Sequence, residues 1–104
     1  MTKDETFKAI FYPESIAVVG ASSDPLKPGG MYTQNLISGG FRGELYPVNP
    51  KAGEIFGLKA YPDLRSIPKS VDYVICCVPK KLTFDILDDC VANGVKVVQF
   101  FTAG

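Results

Sequence analysis

Residues 18–30 bring together several groups that could bind an anion. The stretch reads VVGASSDPLKPGG, in which an apolar run leads into a loop of glycine, serine, proline and lysine. Glycines let a backbone approach a ligand closely, and the N-terminus of a following helix presents free N–H groups to a phosphate. Serine hydroxyls and a lysine would add hydrogen bonds and positive charge. We therefore predict a phosphate-binding loop, with contacts from Gly20, Ser22, Ser23, Lys27, Gly29 and Gly30.

The residues that most often carry catalysis are scarce. The chain has no histidine, which excludes Ser–His and Cys–His couples and imidazole ligands for zinc. Of its three cysteines, Cys76 and Cys77 are adjacent, so on a strand they would point to opposite faces and could not easily share a metal ion. With Cys90 they are predicted to be buried and inert. The sequence predicts no catalytic residue and no metal ligand in this chain.

Length and charge limit the possible partners. A chain of 104 residues with 46% hydrophobic and 21% charged residues is typical of one globular domain. Its formal net charge is zero, which argues against a nucleic-acid or anionic membrane partner. The first residues, MTKDETFKAIFYP, contain no apolar signal-peptide core. The sequence thus predicts a cytoplasmic protein.

Alternating strand and helix patterns must position the loop. Short apolar runs predict strands, and a spacing of three to four residues between apolar positions predicts helices. We expect an α/β fold, namely a Rossmann-like doubly wound parallel sheet, truncated after the fifth strand. Because residue 104 follows an apolar strand with no covering helix, we expect the chain to be an N-terminal fragment of a longer protein. Strands are predicted at 15–19, 44–48, 71–78 and 95–102, with a short strand or turn at 58–61. Helices are predicted at 3–11, 29–38 and 82–93, with one helical turn at 63–67.

The choice of ligand is limited by two residues that are missing here, the second glycine of a dinucleotide-binding loop and the acidic residue after the second strand. A dinucleotide-binding loop reads G-x-G-x-x-G and is followed by an acidic residue at the tip of the second strand. Here Ser22 stands where the second glycine is expected, and the second strand ends in Asn49, Pro50 and Lys51. A lysine at that tip disfavours NAD and favours an additional phosphate on the ribose. NADP and coenzyme A (CoA) both carry one, and the residues alone do not separate them.

Several longer stretches resemble one family. SIAVVGASSDPLKPGG, GELYPVNPKAGEIFGLKAYPDLRSIP, VDYVICCVP and GVKVVQFFTAG together are similar to the CoA-binding domain of the NDP-forming acyl-CoA synthetases. That group includes ADP-forming acetyl-CoA synthetase and the alpha subunit of succinyl-CoA ligase. The resemblance implies that the loop wraps the phosphates of CoA and that Lys51 neutralises a phosphate near the adenosine. It further implies that Val48, Asn49 and Pro50 border the nucleotide, that Val78 and Pro79 form the opposite wall, and that Thr102 and Ala103 lie toward the pantetheine arm.

The resemblance also implies a role within a larger enzyme. Full-length relatives carry a phosphorylated histidine in a second domain and an ATP-grasp domain or subunit, which would be the partners of this chain. We expect a CoA-binding module that catalyses nothing alone, within a synthetase for acetyl-CoA or a similar acyl-CoA. Two alternatives stay open: a stand-alone CoA-binding regulatory protein and, less favoured by the resemblance, an NADP-binding Rossmann domain.

Overall fold

The computed structural model describes residues 2–101, which form an α/β fold with one main sheet. Each helix ends where the sequence supplies a stop. The first helix begins after Thr2, whose hydroxyl accepts a hydrogen bond from the Glu5 amide, and ends before Pro13. The third ends at Gly94, which adopts a left-handed conformation (φ 87°) that suits glycine. The helices are α1 (Lys3–Phe11), α2 (Pro28–Ser38) and α3 (Thr83–Asn93), and the strands are β1 (Ser15–Val19), β2 (Glu44–Val48), β3 (Glu54–Ile55), β4 (Leu58–Lys59), β5 (Tyr73–Cys76) and β6 (Val97–Phe100).

The main sheet has four parallel strands in the order β2-β1-β5-β6. Val19, the last residue of β1, lies opposite Val48 of β2 and Cys76 of β5. All five residues of β1 are buried, as expected of a parallel strand covered on both faces. The chain moves outward from β1 to β2 and later continues on the other side of β1, at β5. Strand order therefore reverses between β1 and β5, where doubly wound sheets form their ligand crevice.

Two apolar clusters cover the two faces of the sheet. Cys90 of α3 packs with Leu64 and with Val19 on one face. Val18 faces the other side, where Tyr32 and Leu36 of α2 pack near it. The predicted fold class, a Rossmann-like α/β fold with a parallel sheet, is confirmed.

Four local predictions differ from the structure. The strand predicted at 95–102 is regular only over Val97–Phe100, and residue 102 lies outside the described residues. The strand predicted at 71–78 is regular only over Tyr73–Cys76, because Pro79 and the turn before it bend the chain away. The segment at 54–59 forms a small antiparallel hairpin (β3 and β4), and within the described residues only Tyr61 bridges to Val48 of the main sheet. The main sheet therefore has four strands instead of the five predicted. Val91, placed by its spacing on the apolar face of α3, is 82% exposed.

No helix among residues 2–101 is long and apolar enough to cross a membrane.

Candidate functional site

The loop after β1 is tied to both neighbouring strands. Gly20 has a left-handed conformation (φ 84°), and its N–H donates to the Val48 carbonyl at 3.0 Å. A Cβ at this position would lie 2.5 Å from the Cys77 carbonyl oxygen. The turn therefore needs glycine both for its backbone angle and for its close approach to the chain after β5. This turn lies where the ends of β1, β2 and β5 are side by side at one edge of the sheet.

Gly29 and Gly30 fit against the protein's own loop. Both are buried, and a Cβ on Gly29 would lie 1.9 Å from the Gly20 carbonyl oxygen. A Cβ on Gly30 would lie at the same distance from the Asp24 carbonyl oxygen. The sequence interpretation assigned these glycines to close approach of a ligand. The structure adds that they let the first turn of α2 pack directly on the loop.

This packing leaves donors without internal partners. Within residues 2–101, the N–H groups of Ser22, Ser23, Gly29 and Gly30 have no hydrogen-bond acceptor. The first helical bond of α2 is donated by Met31, and no side chain caps the helix. Such unpaired N–H groups, at the positive end of a helix, are the donors that a phosphate requires.

The rest of the loop is held by its own polar side chains. The Ser22 hydroxyl accepts from the Asp24 amide at 3.0 Å, and the Asp24 carboxylate accepts from the Leu26 amide at 2.9 Å. The Ser22 proton is thereby left for an external acceptor. Lys27, which precedes α2, is exposed and supplies positive charge beside its N-terminus.

Residues Asn49, Pro50 and Lys51, here called the N-P-K corner, follow β2 and lie directly beside this loop. Asn49 is half-buried; its side-chain amide donates to the Ala21 carbonyl and accepts from the Lys51 amide, each at 2.8 Å. Pro50 and Lys51 are exposed at the tip. The structure thus brings together the two predicted groups of phosphate ligands, which are separated by about twenty residues in the sequence.

An apolar cavity of about 180 Å³ opens at the same edge of the sheet, on the face covered by α3. The predicted residues Gly20, Val48, Pro50 and Val78 all line it. Sequence reasoning missed the others, although residues 61–64 (YPDL) lie in one of the stretches that carry the family resemblance. The cavity residues that were not predicted are Val19, Pro62, Asp63, Leu64, Leu82, Ile86 and Asp89.

A second cavity, of about 250 Å³, lies on the other side of Val78. Pro28 at the start of α2, Cys77, Pro79 and Phe101 line it with Val78. Val78 therefore separates two cavities that flank the end of β5. The predicted contacts Thr102 and Ala103 follow Phe101 but lie outside the described residues.

At this edge the structure describes a thiol with a shifted pKa and an ion pair. Cys77 is half-buried, whereas Cys76 and Cys90 are buried as predicted. Desolvation raises the pKa of the Cys77 thiol to about 11, so the thiol is protonated at neutral pH and is a poor nucleophile. Asp89, at the cavity rim, is paired with Arg65 at 2.7 Å. Among the described residues, no three His, Cys, Asp or Glu side chains are grouped so as to hold a metal ion. The arrangement suits binding of an anionic ligand with an apolar part.

Comparison with known proteins identifies the family. The family profile described as a CoA binding domain matches residues 14–104. The chain belongs to this family. This CoA-binding domain is 42% identical over 95 residues to acetate–CoA ligase [ADP-forming] II of Archaeoglobus fulgidus, which covers 91% of the chain and 14% of the relative. It is 41% identical over 103 residues to the alpha subunit of acetate–CoA ligase [ADP-forming] I of Pyrococcus furiosus, covering 95% and 22% of the two chains.

A solved structure has a closely similar fold. The dinucleotide-forming acetyl-coenzyme A synthetase 1 of Ca. Korarchaeum cryptofilum, in complex with phosphate and ADP, superposes with a TM-score of 0.91 at 43% identity. The match covers 96% of this chain and 22% of that one. The resemblance noted in the sequence is thus confirmed: this is a CoA-binding domain that matches the alpha-subunit region of ADP-forming acyl-CoA synthetases. It spans less than a quarter of the length of these relatives, which are larger synthetases with further domains or subunits.

Proposed function

We propose that this domain binds CoA in the crevice at the carboxyl ends of β1, β2 and β5, as the CoA-binding module of an ADP-forming acetyl-CoA-type synthetase. One observation carries the proposal: loop 20–30, the N-P-K corner and an apolar cavity all open onto one edge of the sheet, in a domain of the CoA-binding family. A ligand with several phosphates and one apolar ring matches that combination.

The parts of CoA can be assigned to the parts of the crevice. The pyrophosphate lies on the unpaired N–H groups of Ser22, Ser23, Gly29 and Gly30, next to Lys27. The adenine enters the cavity bordered by Val48, Pro50 and Val78, and Lys51 contacts the 3′-phosphate. The pantetheine arm passes the second cavity beside Pro79, toward Thr102 and Ala103.

The domain itself binds and orients CoA but does no chemistry on it. Its cavity thiol is held protonated by burial, which supports a purely binding role. In the whole protein, the reaction would convert acyl-CoA, ADP and phosphate into the acid, ATP and free CoA. The partners would be a phosphohistidine domain and an ATP-grasp domain or subunit, and this chain would be the N-terminal part. Three free cysteines support a reducing, cytoplasmic location.

CoA is expected to stabilise the isolated domain against heat. A ligand that binds only the folded state at about 100 times its dissociation constant raises the free energy of unfolding by about 2.7 kcal/mol. Thermal melts of the 104-residue chain with CoA, dephospho-CoA and NADP measure this. CoA should raise the melting temperature most and dephospho-CoA less, because it lacks the phosphate assigned to Lys51. A rise with NADP and none with CoA would overturn the proposal.

A further inference from the structure

We propose that Asn49 is a positioning residue that couples the two phosphate-binding segments, loop 20–30 and the N-P-K corner, and makes no essential contact with the ligand itself. The inference rests on the proposed function, since it concerns how the CoA crevice is organised. It goes beyond that proposal because it gives Asn49 a role different from bordering the nucleotide.

Each end of the Asn49 side chain makes one hydrogen bond to the protein. Its Nδ2 donates to the Ala21 carbonyl at 2.8 Å, and Ala21 directly precedes Ser22 of the loop. Its Oδ1 accepts from the Lys51 amide at 2.8 Å. The side chain is half-buried, so competition from water is reduced. One amide group therefore links the loop backbone to the lysine backbone, beside the hydrogen bonds that the Gly20 and Ala21 N–H groups donate to the Val48 carbonyl.

The backbone of Asn49 is fixed as well. Its N–H donates to the Tyr61 carbonyl at 2.8 Å, and the Tyr61 N–H donates to the Pro47 carbonyl at 2.9 Å. These two bonds hold the residue from the side opposite to Ala21. Since Asn49 cannot easily turn, displacement of either phosphate-binding segment must break a hydrogen bond of its side chain.

The two side-chain bonds have separable consequences. The hydrogen bond from the Lys51 amide to Oδ1 fixes the position of the Lys51 backbone, from which its side chain extends. This bond therefore governs how well the domain distinguishes the 3′-phosphate of CoA from the free hydroxyl of dephospho-CoA. The Nδ2 bond to Ala21 sets the orientation of the loop that receives the pyrophosphate, which CoA and dephospho-CoA share. Loss of the first bond should reduce discrimination between the two ligands, and loss of the second should weaken both equally.

Two substitutions separate these effects. Asn49→Ala removes both bonds. Asn49→Ser keeps an oxygen that can accept from the Lys51 amide in the equivalent serine turn, but it is too short to reach Ala21. The dissociation constants of CoA and dephospho-CoA are measured by calorimetry for the wild type and both variants, with a ligand-free melt of each to verify folding.

The readout is the ratio of the two dissociation constants, which a merely structural role would not change. We expect a wild-type ratio of about tenfold, on the order of one charge-assisted contact. Asn49→Ala should bring it close to one. Asn49→Ser should keep the wild-type ratio while weakening both ligands by about threefold or more, as for one lost neutral hydrogen bond.

The outcomes distinguish this inference from the proposed function. If wild-type protein binds no CoA, the proposed function fails and the inference with it. If the wild type binds CoA but the ratio is one, the assignment of the 3′-phosphate to Lys51 is wrong and the inference fails with it. If the wild-type ratio is about tenfold and survives in Asn49→Ala, the positioning role alone is wrong. Should Asn49→Ala fail to fold, the serine variant decides: unchanged affinities, or a lowered ratio, would each contradict the coupling.

Discussion

Gly29→Ala is expected to lower the free energy of unfolding by about 3 kcal/mol, at the upper end of the range for a methyl group forced into a packed site. The added Cβ would lie 1.9 Å from the Gly20 carbonyl oxygen and 2.7 Å from its carbon, both rigid backbone atoms. Alanine favours a helix over glycine by about 1 kcal/mol, too little to offset this clash. The first turn of α2 must then move off the loop, and CoA binding should be lost as well. Denaturant unfolding and calorimetry measure the two effects.

Gly53→Ala is the matched control. Nothing lies within 4 Å of a Cβ at Gly53, and its backbone is not left-handed. Its stability should stay within about 0.5 kcal/mol of the wild type, or rise slightly through the unfolded state. If Gly29→Ala is as stable as this control and still binds CoA, the packing of α2 on the loop is not what requires glycine there.

Leu64→Ala is expected to cost about 2–5 kcal/mol, the range for truncating a fully buried leucine. Leu64 is 1% exposed and packs in the cluster that contains Val19 and Cys90. It also lines the apolar cavity at the ligand edge. Loss of its side chain therefore enlarges that cavity at the same time as it weakens the core, and CoA affinity should fall in the fraction that stays folded.

Leu26→Ala provides the comparison for Leu64. Leu26 is 91% exposed, so its truncation removes almost no buried contact. Its unfolding midpoint in urea should match that of the wild type. Equal midpoints for the Leu64 and Leu26 variants would mean that the Leu64 side chain contributes little to the stability of the core.

The amino-acid sequence predicts the structure correctly where the local residue pattern and the overall fold favour the same element. A five-residue apolar run such as Ser15–Val19 is short for a helix, and it forms the central buried strand. The loop and the N-P-K corner follow the first two strands, and parallel strands bring such loops to one edge. The amino-acid sequence alone therefore places the candidate phosphate ligands in one crevice.

What the sequence missed depends on contacts between distant segments. Asp63, Leu64 and Asp89 reach the cavity because a turn of 3₁₀ helix (Leu64–Ser66) packs against α3, and no sequence pattern shows that these two segments meet. Val91 fits an apolar helical stripe by its spacing, yet it lies at the margin of the stripe and is exposed. The hydrogen bonds of the Asn49 side chain could not be predicted from the sequence either, since its partners come from two different loops.

The most direct test of CoA binding at this edge is the effect of Lys51→Ala on the affinities for CoA and dephospho-CoA. Lys51→Ala should weaken CoA by about tenfold, equivalent to about 1.4 kcal/mol, and leave dephospho-CoA unchanged. Lys8→Ala is the matched control, because Lys8 is exposed on α1 and lies in a different pocket with Glu14 and Asp72, which precede β1 and β5. Lys59 is less suitable because it stacks over the Tyr61 ring at 5.0 Å. Calorimetry at one fixed salt concentration decides the matter. Weaker CoA binding by Lys51→Ala alone is the predicted result, and equal CoA affinities for the Lys51 and Lys8 variants would contradict it.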